Sequence, residues 1–367
     1  MSTESGDTRY RPSDSELMAG EYVLRRLRTD EAAASVFLGE TTAVIGNLYD
    51  EITPAFAANL ADIDRRGHDQ NGYFTIGKEV WVARRIATGE LLGFEVITRK
   101  RGGSVKIGPT LILPSARGEH LATRIIVRLL QEYSRVGARK AYVTAPLSHN
   151  ALSVIDFRDL GLRLEAMLQS QYREGAWERV AGRLLSTQPD PKVAIDLESP
   201  AAELGPIQIK TEIGTDQQSD FRRFVQEEMR NAYTDIDDAF ASSILSAAHR
   251  GAESPYEKKG KLVYSLVHDS RLVGVAVCTP KRGGAVKVAP VLIASNYRLP
   301  AIGDALIGAI TAEFRRLEKR KLFFLIPVTS WWLLSILIQR DGFAMEGVLR
   351  EPYKAGVDVA VISTFLK

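Results

Sequence analysis

A single cysteine, Cys278, occurs in 367 residues. That excludes an internal disulfide framework and fits a reducing compartment. No sign of charge dominates, since 48 basic residues against 45 acidic ones leave a net charge of +3. Such a balance admits an anionic ligand or an acidic protein partner. It is not the charge excess of a nucleic-acid-binding chain, and nucleic acid is not expected as a partner. The opening segment MSTESGDTRYRPSDSELMAG has no apolar centre ahead of a cleavage site. It reads as a flexible, solvated arm over residues 1–20 rather than a signal peptide, and a cytoplasmic location is the expectation. The most apolar stretch, LFFLIPVTSWWLLSILI from Leu322 to Ile338, is interrupted by Pro327, Thr329 and Ser330. It reads as a buried strand followed by a helix, so no membrane association is expected.

What the chain does contain is a repeat. KRGGSVKIGP begins at Lys100, and KRGGAVKVAP begins at Lys281, 181 positions later, with seven of ten letters identical. The same offset aligns Gly93 with Gly274, Pro109 with Pro290, Arg117 with Arg298, Pro146 with Pro327, Glu165 with Glu346 and Tyr172 with Tyr353. An offset of 184 aligns Tyr49 with Tyr233 and Phe56 with Phe240. Two copies of a domain-sized unit are a duplicated domain, and the length exceeds what one hydrophobic core usually holds. Between the copies, Ser186 to Pro206 carries four prolines and little periodicity. It reads as an irregular linker over 186–206 joining domains at 21–185 and 207–367.

Within the first copy, YVLRRL reads as a strand, with Thr29 or Asp30 placed to cap a helix through about Gly46. Thr53-Pro54 marks a second helix start. EVWVARRI, LLGFEVITRKR and SVKIGPTLIL read as three antiparallel strands. ARGEHLATRIIVRLLQEYSRVG becomes an amphipathic helix with Leu121, Ile125, Leu129 and Leu130 on one face. KAYVTAP is a strand, NALSVIDFRDLG a helix, and two strands follow, an order that the second copy repeats. The fold class is therefore α/β in the mixed α+β sense: two tandem domains, each a mixed, mostly antiparallel sheet flanked by helices.

The strand ending near Leu113 runs into Arg117-Gly118-Glu119-His120-Leu121-Ala122 and then a helix. Backbone N–H groups at a helix N-terminus point outward unpaired, the helix dipole adds positive potential, and Arg117 supplies a charge-assisted donor beside them. That setting suits an anion. A proline inside a strand, Pro109 or Pro290, removes a ladder donor and is tolerated at a bulge or an unpaired edge.

This element order, with an R-x-x-x-x-[GA] loop between strand and helix in both copies, resembles the GNAT acyltransferase superfamily. The resemblance implies an acyl thioester of coenzyme A or of another phosphopantetheine as donor substrate, with no tightly bound cofactor and no metal. It also implies a bulged, splayed strand at Pro109 into which the pantetheine arm slips. Donor-binding positions carried over are Ile112, Leu113, Arg117, Gly118, Glu119, His120, Leu121, Ala122, Thr123 and Asn150. Tyr49 and Asp50 precede the second helix, where the family's acceptor site lies. The chain departs from the pattern at His120, which stands where the family has a glycine, and at Lys106 and Phe157, which replace the usual base and acid.

Glu95 interrupts an apolar strand and aligns with Ala276, and His149 stands beside Asn150, so both are candidate catalytic groups. In the second copy Trp331 replaces Asn150, and Pro300 deletes an N–H from the loop. Donor binding is accordingly expected in the first copy, with the second degenerate or structural. Arg124 and Arg128 add basic surface near Arg117, which suits a phosphopantetheine borne by an acidic acyl-carrier protein.

The expected function is an N-acyltransferase that moves an acyl group from an acyl-carrier protein or acyl-CoA to an amine of a small-molecule acceptor, of the kind met in specialised metabolism. The alternatives are a non-catalytic acyl-CoA-binding or sensor protein and an aminoacyl-tRNA-dependent transferase.

Overall fold

The computed structural model describes residues 9–49, 52–67, 75–147, 159–186, 195–197, 205–250 and 260–366. The chain divides into two compact units, one of Met1–Leu168 with Gly175–Gln188 and the other of Gln169–Glu174 with Pro189–Lys367. Each is a mixed, mostly antiparallel sheet with helices on its faces.

In the first unit, β1 (Leu17–Ala19), β2 (Tyr22–Arg26), β3 (Thr75–Arg85), β4 (Leu91–Lys100) and β5 (Ser104–Ile112) pair antiparallel in that order. β5 then pairs in parallel with β6 (Lys140–Pro146), and β6 pairs antiparallel with β8 (Trp177–Leu184), which follows β7 (Arg163–Gln169) in the chain. Helices α1 (Glu31–Gly46) and α2 (Pro54–Arg66) bury Phe37, Ile45 and Leu60 against Val80, Val82, Phe94 and Val96. The opposite face packs on α3 (Leu121–Arg135), whose Leu121, Ile125, Leu129 and Leu130 form the apolar stripe read from the sequence.

Three local readings need correction. The segment taken as a solvated arm is partly structured, because Leu17–Ala19 form β1 and Leu17 is buried in the core. Asp30 is the N-cap residue of α1, as read, but its carboxylate makes no capping hydrogen bond. The Asp30 carboxylate instead takes two hydrogen bonds from Arg84, at 2.6 and 2.9 Å, which hold its pKa below the usual carboxylate range. The helix opening at the glycine loop starts at Leu121, after a 3-10 turn at Pro114–Ala116.

Beneath α2 lies a buried ionic network that the hydrophobic pattern does not reveal. Arg26 pairs with Asp64 at 2.7 Å and Arg99 with Glu79 at 2.7 Å, all four fully buried. Tyr133 donates to Glu79 at 2.9 Å, and the amides of Arg28 and Val80 donate to Asp64 at 3.0 Å. Hydrogen bonds on nearly every side let buried charges persist where isolated ones would not.

The second unit repeats the plan. Strands β9 (Gln208–Lys210), β10 (Leu262–His268), β11 (Arg271–Pro280) and β12 (Ala285–Ile293) pair antiparallel. β13 (Lys321–Pro327) is parallel to β12 and antiparallel to β15 (Val357–Phe365), which pairs with β14 (Phe343–Lys354). Helices α4 (Gln218–Met229), α5 (Asp238–Arg250), α6 (Pro300–Arg316) and α7 (Trp331–Gln339) complete it. The apolar run from Leu322 thus splits into β13 and α7 as expected. Among the described residues no helix is long and apolar enough to cross a membrane. A buried Lys140–Glu165 pair in the first unit recurs 181 positions later as Lys321–Glu346, each at 2.7 Å. The repeat therefore extends to internal ion pairs.

Candidate functional site

The residues around Pro109 and Pro290 set the geometry in each unit. β5 and β6 pair from Ser104 with Lys140 to Ile107 with Val143, and no farther. β12 and β13 likewise pair only from Ala285 with Lys321 to Val288 with Phe324. One residue beyond each last pair comes a cis peptide bond, Gly108–Pro109 or Ala289–Pro290. The proline has no N–H to continue a ladder. Each pair of strands therefore splays apart, leaving backbone groups open toward a groove.

Next to the splay, β4 slips register between Glu95 and Ile97, and Glu95 stands opposite Thr110 on β5 and Trp81 on β3. Its carboxyl is fully buried. The Thr110 hydroxyl and the amides of Gly108 and Val96 face it but fall short of hydrogen-bond geometry. Burial pushes its pKa up to about 8 against the weaker pull of those dipoles. A carboxyl with that pKa exchanges its proton near neutral pH and is a far stronger base than an ordinary glutamate.

At the mouth of the groove, the Arg117 guanidinium is exposed and donates through Nε to the carbonyl oxygen of Ile112 at 3.2 Å. It has no carboxylate partner among the described residues. Leu113 continues the strand by donating to the Leu92 carbonyl oxygen at 2.9 Å. Gly118 sits at φ 91° with open space where a Cβ would stand. His120, exposed, is the N-cap of α3 in the left-handed region at φ 54°. The conformation a glycine would adopt is thus kept by a histidine. The first backbone amide of α3 with a partner in the helix is that of Arg124, on the His120 carbonyl oxygen at 3.2 Å. The amides of Leu121, Ala122 and Thr123 are the open donors of this turn. Glu119 turns to Tyr22 at 3.0 Å and Arg85 at 3.2 Å, which lower its pKa.

The second groove has the same frame and a different filling. Arg298 donates through Nε to the Ile293 carbonyl oxygen at 3.0 Å, as Arg117 does to Ile112. The rest of its guanidinium is consumed by Asp196 at 3.2 Å and Glu228 at 2.9 Å. Asp196 belongs to the proline-rich segment that joins the copies. Its amide donates to the Thr329 carbonyl oxygen at 2.6 Å, and its carbonyl oxygen accepts from the Trp332 amide at 3.3 Å. Its carboxylate accepts from the Ser330 hydroxyl at 3.3 Å. Together with Tyr233, Pro290, Ile293 and Trp332 it lines the opening beside β12. The residue that fills this groove is Trp332, which is buried. Trp331, which stands at the position of Asn150 in the repeat, is 54% exposed. Gly303 is explained by packing, since a Cβ there would lie 2.6 Å from Ile336 and 3.3 Å from Trp332.

Of the positions carried over from the resemblance, Ile112, Leu113 and Arg117 to Thr123 come together at one groove mouth, with Glu95 next to the splay. Tyr49 packs beside α1 and α2. Asp50, His149 and Asn150 lie outside the described residues. Arg124 pairs with Glu21 at 3.3 Å, and Arg128 with Glu132 and the Met18 carbonyl oxygen. Sequence reasoning missed Asp196 and Glu228. The only signal was an acidic residue in each segment, with nothing to show that both reach Arg298. Among the described residues no cluster of His, Cys, Asp or Glu has metal-binding geometry.

No protein-family model and no curated protein matches the chain. Among solved structures, a GNAT-family acetyltransferase from Streptococcus pneumoniae is similar at 13% identity, covering 44% of this chain and all of its own, with a TM-score of 0.37. An N-acetyltransferase from Staphylococcus aureus Mu50 is similar at 16% identity over 44% of this chain and 99% of its own, TM-score 0.36. The spermidine/spermine N-acetyltransferase SpeG of Vibrio cholerae is similar at 15% identity over 46% and 94%, TM-score 0.35. Each spans about one unit, and likeness at this level bears on fold alone.

Proposed function

We propose that this chain is an N-acyltransferase whose first unit binds a pantetheine thioester and passes its acyl group to an amine. The observation that carries the reading is the contrast at one pair of equivalent arginines. Arg117 stands exposed beside three open amides at a splayed strand, while Arg298 is neutralised within its own unit. A phosphate-bearing arm fits the first arrangement, with phosphate at Arg117 and the amides of Leu121 to Thr123, and its amide groups along the unpaired edge beyond Ile107.

The chemistry follows from the groups next to that splay. An amine attacks the thioester carbonyl, the carbon–sulfur bond breaks, and the thiolate leaves. The amine must lose a proton, and Glu95 is the group we assign to take it, a reading supported by its raised pKa. An open backbone N–H at the splay stabilises the oxyanion. His149 and Asn150, the other groups expected near the thioester, are assigned to the same site as proton donor and donor contact.

The donor is coenzyme A or a carrier-borne phosphopantetheine, which share the arm this groove fits. The acceptor is a small-molecule amine. Incubating the full chain with acyl-CoA, acyl-carrier protein and aminoacyl-tRNA in turn tests the reading through thermal stabilisation and thiol release. Stabilisation by a thioester that disappears in Arg117→Ala is the expected result. Binding without turnover across amines of varied size would make the protein a sensor, and a response to none of the three would overturn the proposal.

A further inference from the structure

In the second unit, two lysines stand close together on the sheet. Lys287 on β12 stands directly opposite Thr279 on β11. Lys261 precedes β10 by one residue, on the other flank of Thr279, because its neighbour Leu262 pairs with Cys278. Its ammonium donates to the Thr279 hydroxyl at 3.4 Å. The Lys287 ammonium lies 5.8 Å from the centre of the Tyr353 ring, which packs on Tyr233 with centroids 5.1 Å apart. The three strands thus present Lys–Thr–Lys on one face, bordered by two aromatic rings. Among the described residues neither lysine has a carboxylate partner.

That arrangement is electrostatically unfavourable. Burial pushes both amines down to about 8, and at Lys261 the neighbouring Lys287 adds repulsion. Like charges flanking one residue across a sheet, half-buried and unpaired, destabilise a fold unless something answers them. The register is common to both copies, since in the first unit Lys78 pairs with Thr98 and Thr98 with Lys106. Two like-charged amines converging on one hydroxyl in the second unit are the mark of a site.

We propose that Lys261, Thr279 and Lys287 form an oxyanion-binding site in the second unit, which takes the carboxylate or phosphate of a small molecule whose body lies against Tyr353 and Tyr233. Two ammonium groups and a hydroxyl supply convergent donors for two oxygens, and the rings offer an apolar flank.

The test uses the full chain and reads binding rather than catalysis, so it stands apart from the acyltransferase reading. Calorimetry and thermal melts are run with inorganic phosphate, acetate and benzoate, with sodium chloride at matched ionic strength as control. The expected result is saturable binding of phosphate or a carboxylate, with benzoate above acetate. Lys287→Met and Lys261→Met are each expected to weaken it by about tenfold or more, while Lys287→Arg retains it. Phosphate binding without carboxylate binding assigns the site to phosphate esters, and the converse assigns it to organic acids. If no anion acts beyond chloride, or if both methionine variants respond as the wild type does, the site is refuted. Should one methionine variant fail to fold, the other and the arginine variant still decide.

Discussion

Arg117 and Arg298 hold their strands in the same way, through Nε to the carbonyl oxygen five residues earlier. One then offers the rest of its guanidinium to solvent, while the other spends it on Asp196 and Glu228. The amides beside them differ in the same sense. In α3 the donors before Arg124 stay open. In α6 proline stands at the first position, and the Ile302 and Gly303 amides both donate to the Leu299 carbonyl oxygen. A duplicated frame can thus keep its strands while one copy answers its open groups from within. In the second unit, Asp196 and Glu228 answer the arginine, a peptide group caps the strand end, and an indole occupies the space.

The largest expected effect concerns Glu95, whose aligned position in the second unit is the buried Ala276. Glu95→Gln keeps the shape and removes the base, so kcat should fall by about 10²–10⁴-fold, read as thiol release at saturating donor. The wild-type rate should climb with pH and level off above about 8, and the variant should lack that rise. Stability gives an independent check. The folded-state pKa of Glu95 lies above its unfolded value, so the native state holds a proton that the unfolded chain releases. Its contribution is complete below the unfolded pKa near 4.5 and is lost as pH rises through about 8. Between pH 5 and pH 9 the wild type should therefore lose about 3–5 kcal/mol more than Glu95→Gln in chemical denaturation. A constant difference across that range would mean that the carboxyl is solvated.

Next in size is the arginine pair. Arg117→Ala should raise the donor KM by about 10–100-fold, the worth of a charge-assisted contact to phosphate. Arg298→Ala should leave it unchanged. Reversed behaviour would move donor binding to the second unit. In Arg298→Ala the measurable change should be stability, a loss of about 2 kcal/mol in denaturant midpoints. Removing the guanidinium strands two carboxylates that are only partly exposed.

Much of this was legible in the letters. The repeat gave two similar units because both must satisfy the same strand pairings, and Pro109 and Pro290 marked the splay because a missing N–H has few places to go. Helix starts were clear at Thr53-Pro54, where backbone chemistry is local. The start at Asp30 was placed correctly too, but its carboxylate's partner was not legible, since a distant residue, Arg84, takes it. The same limit explains what was missed in the second groove. That Asp196 meets Arg298 depends on its bonds to Thr329, Ser330 and Trp332 at the start of α7, which no periodicity encodes. Glu95 was legible as an oddity, a charge in an apolar strand. Its raised pKa was not, because that follows from complete burial in the folded sheet, which outweighs the opposing pull of Thr110 and Gly108.

The smallest expected effect is the most discriminating for the second groove. Asp196→Asn keeps the backbone bonds to Thr329 and Trp332 and retains a side-chain acceptor for Ser330, but it removes the charge that answers Arg298. The cost should be about 1 kcal/mol, since Glu228 still pairs with the arginine and both sites are partly hydrated. If the groove is closed by shape as well as by charge, donor stoichiometry in calorimetry should stay at one per chain, because Trp332, Ile336 and Pro300 remain. A rise to two per chain would show that the carboxylate alone holds a working site shut. The two units would then differ by a single removable contact rather than by the loss of one groove.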